Sequence, residues 1–207
     1  MLTVLVHGLG VSHRYFARLR PLLPGAAAPD LAGDSVQALS RSLELVTPPR
    51  SLLVANSLGC QVAAELAVRR PDLVAALVLV GPTWDPSAPT LAAQLVRLCR
   101  GAFREDPSLL ALIVSDYVRW GPRRMLRCAR SMLRDPAADR LAAVRAPVVV
   151  VRGEHDSVCG PAWARLAAAV AHGRLVEAAG AGHAVHWSRP EVVAEAVQEL
   201  LQDLPEA

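Results

Sequence analysis

The apolar run Ser51-Leu52-Leu53-Val54-Ala55 passes through Asn56-Ser57 straight into the helical pattern Leu58–Arg70, with no residue left over for a loop. A strand that becomes a helix so abruptly must turn sharply. The turn strains the backbone of the junction residue and lifts its side chain above the sheet edge. Residues two places to either side have to be small, because strand and helix pass close together there. Ala55 and Gly59 meet that demand, Ala55 departing by one methyl group from the pattern G-x-S-x-G. At a helix N-terminus free N–H groups and the helix dipole favour negative charge, so the Leu58 N–H is a natural donor to an oxyanion formed at Ser57. The plain alternative is that Ser57 is an ordinary helix N-cap.

Apolar runs alternate with helical patterns along the rest of the chain, the arrangement of a parallel sheet covered by helices. Strands are expected at Leu2–Val6, near Ala26–Ala28, and at Ser51–Ala55, Leu73–Val80, Pro147–Arg152 and Arg174–Glu177. Helices are expected around His13–Leu23, at Val36–Val46, Leu58–Arg70 and Pro161–Ala171, and from Pro190 onward, where proline suits the first helical position. Between Thr83 and Arg145 the alternation stops, and several helices punctuated by prolines follow one another. The expected architecture is α/β: a mostly parallel, doubly wound sheet of about six strands in one domain, 1–207, with a helical insertion at 83–145.

A serine hydroxyl needs a base with a pKa near 7, and the base needs an acid on its far nitrogen to fix its tautomer. His183 ends the small-residue loop Ala179-Gly180-Ala181-Gly182 after the last strand, well placed to present an imidazole over the sheet edge. His186 is the rival. Asp156, in Arg152-Gly153-Glu154-His155-Asp156, follows a strand at its C-terminal end, where open α/β sheets gather ligands. Asp85 is the second candidate acid, and Glu154 is expected to point away. His7-Gly8-Leu9-Gly10 closes the first strand and offers the Leu9 N–H as a second oxyanion donor, with His7 tying down its own loop. The order Ser, Asp, His, each after a strand, differs from that of chymotrypsin and subtilisin.

These residues, with Pro29-Asp30-Leu31-Ala32-Gly33-Asp34-Ser35 and Pro147–Asp156, resemble the α/β-hydrolase superfamily, in particular its cofactor-free, esterase-like members, over nearly the whole chain. The resemblance implies triad roles for Ser57, Asp156 and His183, oxyanion roles for Leu9 and Leu58, and a cap formed by 83–145. A serine nucleophile sets the chain apart from dehalogenases and epoxide hydrolases of the same fold. Family members usually carry two strands before the one that begins here at Leu2. Without them the strand near Ala26–Ala28 lies at an open edge. Either the core is minimal, or the chain starts late, or a second subunit covers that edge in a homo-oligomer. Cys60 stands where a glycine is common.

Composition narrows the partners. Hydrophobic residues make up 53% of the chain and the mean hydropathy is +0.30, yet no apolar run approaches the ~20 residues that span a bilayer. No secretory signal is visible, and four scattered cysteines without a C-x-x-C pair suit a reducing cytoplasm. All 22 basic residues are Arg, but they lack the clustering with aromatics that nucleic-acid binding requires. The six His are dispersed, so no metal site is expected, and the resemblance implies no cofactor.

Substrate choice is expected to lie with the helical insertion. Trp84, Tyr117 and Trp120 are candidates to line an acyl pocket. From Arg97 to Arg140 ten Arg face five acidic residues, a field able to steer an acidic carrier protein, although a solvated helical face explains it as well. Three functions follow: hydrolysis of a small-molecule carboxylic ester, thioester or lactone; C–C bond hydrolysis or perhydrolysis of the haloperoxidase kind on the same triad; and ligand binding without catalysis.

Overall fold

The computed structural model describes residues 1–83 and 85–204. Five strands, β1 (Thr3–Val6), β2 (Ser51–Asn56), β3 (Val74–Val80), β4 (Val148–Gly153) and β5 (Arg174–Ala178), lie side by side in chain order. All neighbours are parallel. Side chains alternate between the faces with the strand period of two. Val4, Val6, Leu53, Ala55, Leu77, Leu79, Val148 and Val150 enter one core, and Leu5, Leu52, Val54, Val78, Val80, Val149 and Val151 the other. Both faces of β1 to β4 are covered, which is why those strands read as near-continuous apolar runs, while β5 at the edge keeps Arg174 and Glu177 exposed.

The first core is closed by α1 (Val36–Glu44), capped by Ser35, and α2 (Leu58–Arg69). Four helices then follow β3: α3 (Leu91–Ala102), α4 (Pro107–Trp120), α5 (Pro122–Arg134) and α6 (Ala137–Ala142). After β4 comes α7 (Pro161–Val170), and after β5 the single turn α8 (Val185–Ser188) and α9 (Pro190–Asp203). The buried residues of α7 join the first core and those of α9 the second.

Two expected elements are replaced. The strand near Ala26–Ala28 shrinks to one bridge, Val4 to Ala27, in which Leu5 N–H donates to the Ala27 carbonyl at 2.8 Å and Ala27 N–H to that of Thr3 at 2.9 Å. Gly25 turns the chain with φ +80° just before it, and Pro29 brings no N–H after it. The sheet thus has five strands rather than about six. The helix expected at His13–Leu23 is two 3₁₀ turns, His13–Phe16 and Arg20–Leu22. Pro21 has no N–H to give to Ala17, so a continuous α-helix would lose a bond there.

The bridge fixes the topology. Leu52 N–H bonds the Leu2 carbonyl on one side of β1, while Thr3 and Leu5 turn to Ala27 on the other. The chain therefore leaves β1 in one direction and leaves β2 in the opposite one. A crevice opens between the C-terminal ends of two such strands. Three of the four inserted helices are stitched to its rim. Asp116 of α4, buried, accepts from the Ser12 N–H at 3.0 Å and hydroxyl at 2.7 Å and pairs with Arg14. Arg97 of α3 pairs with Asp85 at 2.6 Å, and Arg124 of α5 donates to the Gly33 and Leu31 carbonyls. Among the described residues no helix is long and apolar enough to cross a membrane.

Candidate active site

Ser57 has φ 57° and ψ −124°, left-handed values that a non-glycine residue adopts at a cost of about 1–3 kcal/mol. Its surroundings over-determine the turn. The Ser57 N–H donates to the Val80 carbonyl at 3.0 Å, and Asn56 Nδ2 reaches the same oxygen at 3.0 Å. A Cβ on Gly59 would lie 2.7 Å from the His7 carbonyl oxygen, so the first turn of α2 rests on the end of β1 only because residue 59 has no side chain. The Ser57 hydroxyl caps nothing, which disposes of the N-cap alternative.

His183 Nδ1 lies 2.9 Å from Asp156 Oδ2. The carboxylate is fully buried, and its Oδ1 accepts from the Val158 and Cys159 amides at 2.8 and 2.9 Å. A carboxylate held by amides only accepts, so Nδ1 carries the proton and Nε2 the lone pair. Burial of the imidazole lowers its basicity. The charge and hydrogen bond of Asp156, with the charge of Glu105, outweigh that and hold the His183 pKa above 6.5. Nε2 is buried and bonded to no described residue, Ser57 included. Both side chains line one cavity of about 290 Å³.

The rivals are otherwise engaged. Asp85 is tied to Arg97 and to the Ser87 N–H and hydroxyl. His186 is fully buried with its ring 4.4 Å from that of Tyr15 and 5.0 Å from that of Phe16, and burial pushes its pKa down to about 3. Glu154 accepts from the Gly180 N–H at the surface. His7 accepts from Leu31 N–H at Nε2 and reaches the Gly8 carbonyl through Nδ1, tying down its loop. The Cys60 thiol is buried against the Ala55 carbonyl, and burial raises its pKa far above the usual thiol range.

Gly8 abuts the nucleophile segment, since a Cβ there would lie 3.2 Å from Ser57 Cβ, and Leu9 beside it lines the cavity. Leu58 is the first residue of α2. Tyr117 lines the cavity with Leu95, Leu98, Leu109, Ile113 and Met132. Trp120 does not. It packs edge-on to His7 at 5.9 Å with Arg124 stacked over its ring at 3.6 Å, because its place on α4 turns it from the crevice toward the first core. Trp84 lies outside the described residues. Among the described residues no group of His, Cys, Asp and Glu side chains is gathered that could hold a metal ion.

Three contributors escaped the sequence reading. Gly81, at φ +55°, lies so close that a Cβ would stand 2.9 Å from the His183 ring and 3.0 Å from Asp156 Oδ2. Arg152, buried, gathers the Asp156 loop by donating to the carbonyls of Cys159, Glu154 and Asp156. Glu105, from the segment between α3 and α4, accepts from the His183 N–H at 2.6 Å. A glycine at the end of a strand was a visible signal for the first. Nothing local marks the other two.

Residues 3–196 match the model of the alpha/beta hydrolase family. The chain is 29% identical to a pimeloyl-acyl-carrier protein methyl ester esterase of Aromatoleum aromaticum, covering 96% of this chain and 97% of that protein. It is 27% identical to the biotin biosynthesis bifunctional protein of Cellvibrio japonicus, covering 99% of this chain but spanning only 48% of that protein. A thermophilic esterase from Thermogutta terrifontis superposes with a TM-score of 0.79 at 21% identity, over 98% of this chain and 89% of that one. At that identity the likeness speaks for the fold alone.

Proposed function

From the premise that this chain belongs to the alpha/beta hydrolase family, we propose that it hydrolyses carboxylic esters through an acyl-enzyme on Ser57, with His183 as base and Asp156 as its orienting acid. The observation that carries this reading is a strained serine sharing a cavity with an imidazole whose far nitrogen is fixed by a buried carboxylate. Ser57 Oγ attacks the ester carbonyl while His183 Nε2 takes its proton, and the Leu9 and Leu58 N–H groups receive the oxyanion. The imidazolium passes that proton to the departing alcohol. A water, deprotonated by the same nitrogen, then attacks the acyl carbon and releases the acid. The Ser57–His183 bond, unmade here, forms as substrate seats, since such contacts often tighten only in the complex.

The helices of 83–145 serve as a cap in this reading, and their Leu, Ile and Met side chains suit an alkyl acyl chain. The esterases among the relatives favour an ester over C–C cleavage or perhydrolysis. Four free cysteines, three of them buried, suit a reducing cytoplasm. A fluorophosphonate probe and a series of acyl esters test the reading. Labelling is expected at Ser57 with turnover of esters, both lost in Ser57→Ala. Labelling without turnover of any ester would sink it.

A further inference from the structure

Glu105 reaches the candidate site from the cap side. Its Oε1 accepts from the amides of His183 at 2.6 Å and Ala184 at 3.3 Å, and its Oε2 is buried with no hydrogen bond to any described residue. It lines the cavity that also exposes Ser57 and His183. Among the described residues no Arg lines that cavity, so no guanidinium there neutralises the carboxylate. Most of the remaining wall is aliphatic, and its other polar groups are neutral, His183 apart. In such a setting charges interact more strongly than in water.

We infer that Glu105 is a positioning and specificity residue: it holds the His183 loop, favours the imidazolium formed in proton transfer, and restricts the acyl chain to uncharged groups, excluding free carboxylates. The inference rests on the reading of Ser57 and His183 given above and deepens it by naming the substrate class. Two effects share one cause. A fixed negative charge beside the imidazole favours its protonated form, as the raised His183 pKa indicates. The same charge opposes a carboxylate carried into the cavity by a substrate.

Glu105→Gln keeps the acceptor oxygen and the side-chain shape but removes the charge. Three readouts follow. On wild type, dimethyl adipate is expected to exceed monomethyl adipate, ionised at pH 7, by about tenfold or more in kcat/KM, and E105Q should narrow that ratio about tenfold. The midpoint of the His183 ring signals, followed by NMR, should fall by about half a unit or more in E105Q. Adipamide should bind wild type more tightly than its half-acid by calorimetry. Equal handling of the neutral and anionic compounds by wild type, or a His183 midpoint unmoved in E105Q, overturns the inference. The NMR and calorimetric readouts need no turnover, so a protein that hydrolyses no ester defeats the proposed function without deciding Glu105. The wild-type measurements also stand if E105Q does not fold.

Discussion

Asp156 and His183 stand 27 residues apart in the chain and 2.9 Å apart in space, and the carboxylate that holds the imidazole is itself held by two backbone amides. The orientation of the ring is thus fixed by the loop after β4 and does not depend on substrate. Asp85, also after a strand, is spent on fastening α3 through Arg97.

Replacing Asp156 with Asn keeps the shape but lets the amide donate toward Nδ1, which favours the wrong tautomer. The expected loss in kcat is about 10³–10⁴-fold. Asp85→Asn should cost less than about tenfold, acting only through the seating of α3. Steady-state kinetics of both variants on one ester decide between the acids.

The base must be neutral to accept a proton. Because the His183 pKa is held above 6.5, kcat/KM should fall as pH drops through a midpoint above 6.5. Below the midpoint the decline approaches tenfold per pH unit. The same raised pKa contributes stability that is present below 6.5 and lost as pH rises through the folded value. A pH–rate profile with its acid limb centred below 6.5 would contradict the balance of burial and charge described here.

Gly81→Ala would place a methyl carbon within 3.0 Å of both the His183 ring and Asp156 while keeping a positive φ. The expected outcome is a loss of about 10² or more in kcat/KM, with destabilisation of about 1–3 kcal/mol by urea titration. Gly25→Ala, also at positive φ but with nothing within 4 Å, should lower stability by a similar backbone term and leave kinetics intact.

Asp116→Ala removes the buried carboxylate that joins α4 to Ser12 and Arg14. Arg14 is partly exposed, so the expected cost is about 2–3 kcal/mol, below that of severing a fully buried pair. Limited proteolysis should show α3 and α4 cut first, since among the described residues they place no buried side chain in either sheet core, whereas α5 and α6 add Cys128, Met132, Ala137 and Leu141 to the first.

The parallel sheet was legible because β2, β3 and β4 bury both faces and so declare themselves as apolar runs, whereas β5 at the edge keeps Arg174 and Glu177 exposed. The turn at Ser57 was legible because strand, small residue and helix follow within a few positions. The fate of the edge strand was not: between Gly25 and Pro29 the expected strand at Ala26–Ala28 keeps a single bridged residue, Ala27. Nor was the fate of the aromatic pair on α4. Tyr117 and Trp120 are three residues apart on one helix, yet one lines the cavity and the other stacks on His7 and Arg124.

Taken alone, the amino-acid order determined the strands, the bent junction at Ser57, and a short list of acids and bases set at strand ends, because these depend on steric and apolar rules acting over a few residues. Tertiary structure decided which acid meets His183, that His186 is core, and that Glu105 reaches a histidine loop 78 residues away. Those outcomes depend on which loops converge above the sheet, and a hydrogen bond made between distant segments leaves no mark on the sequence around either partner.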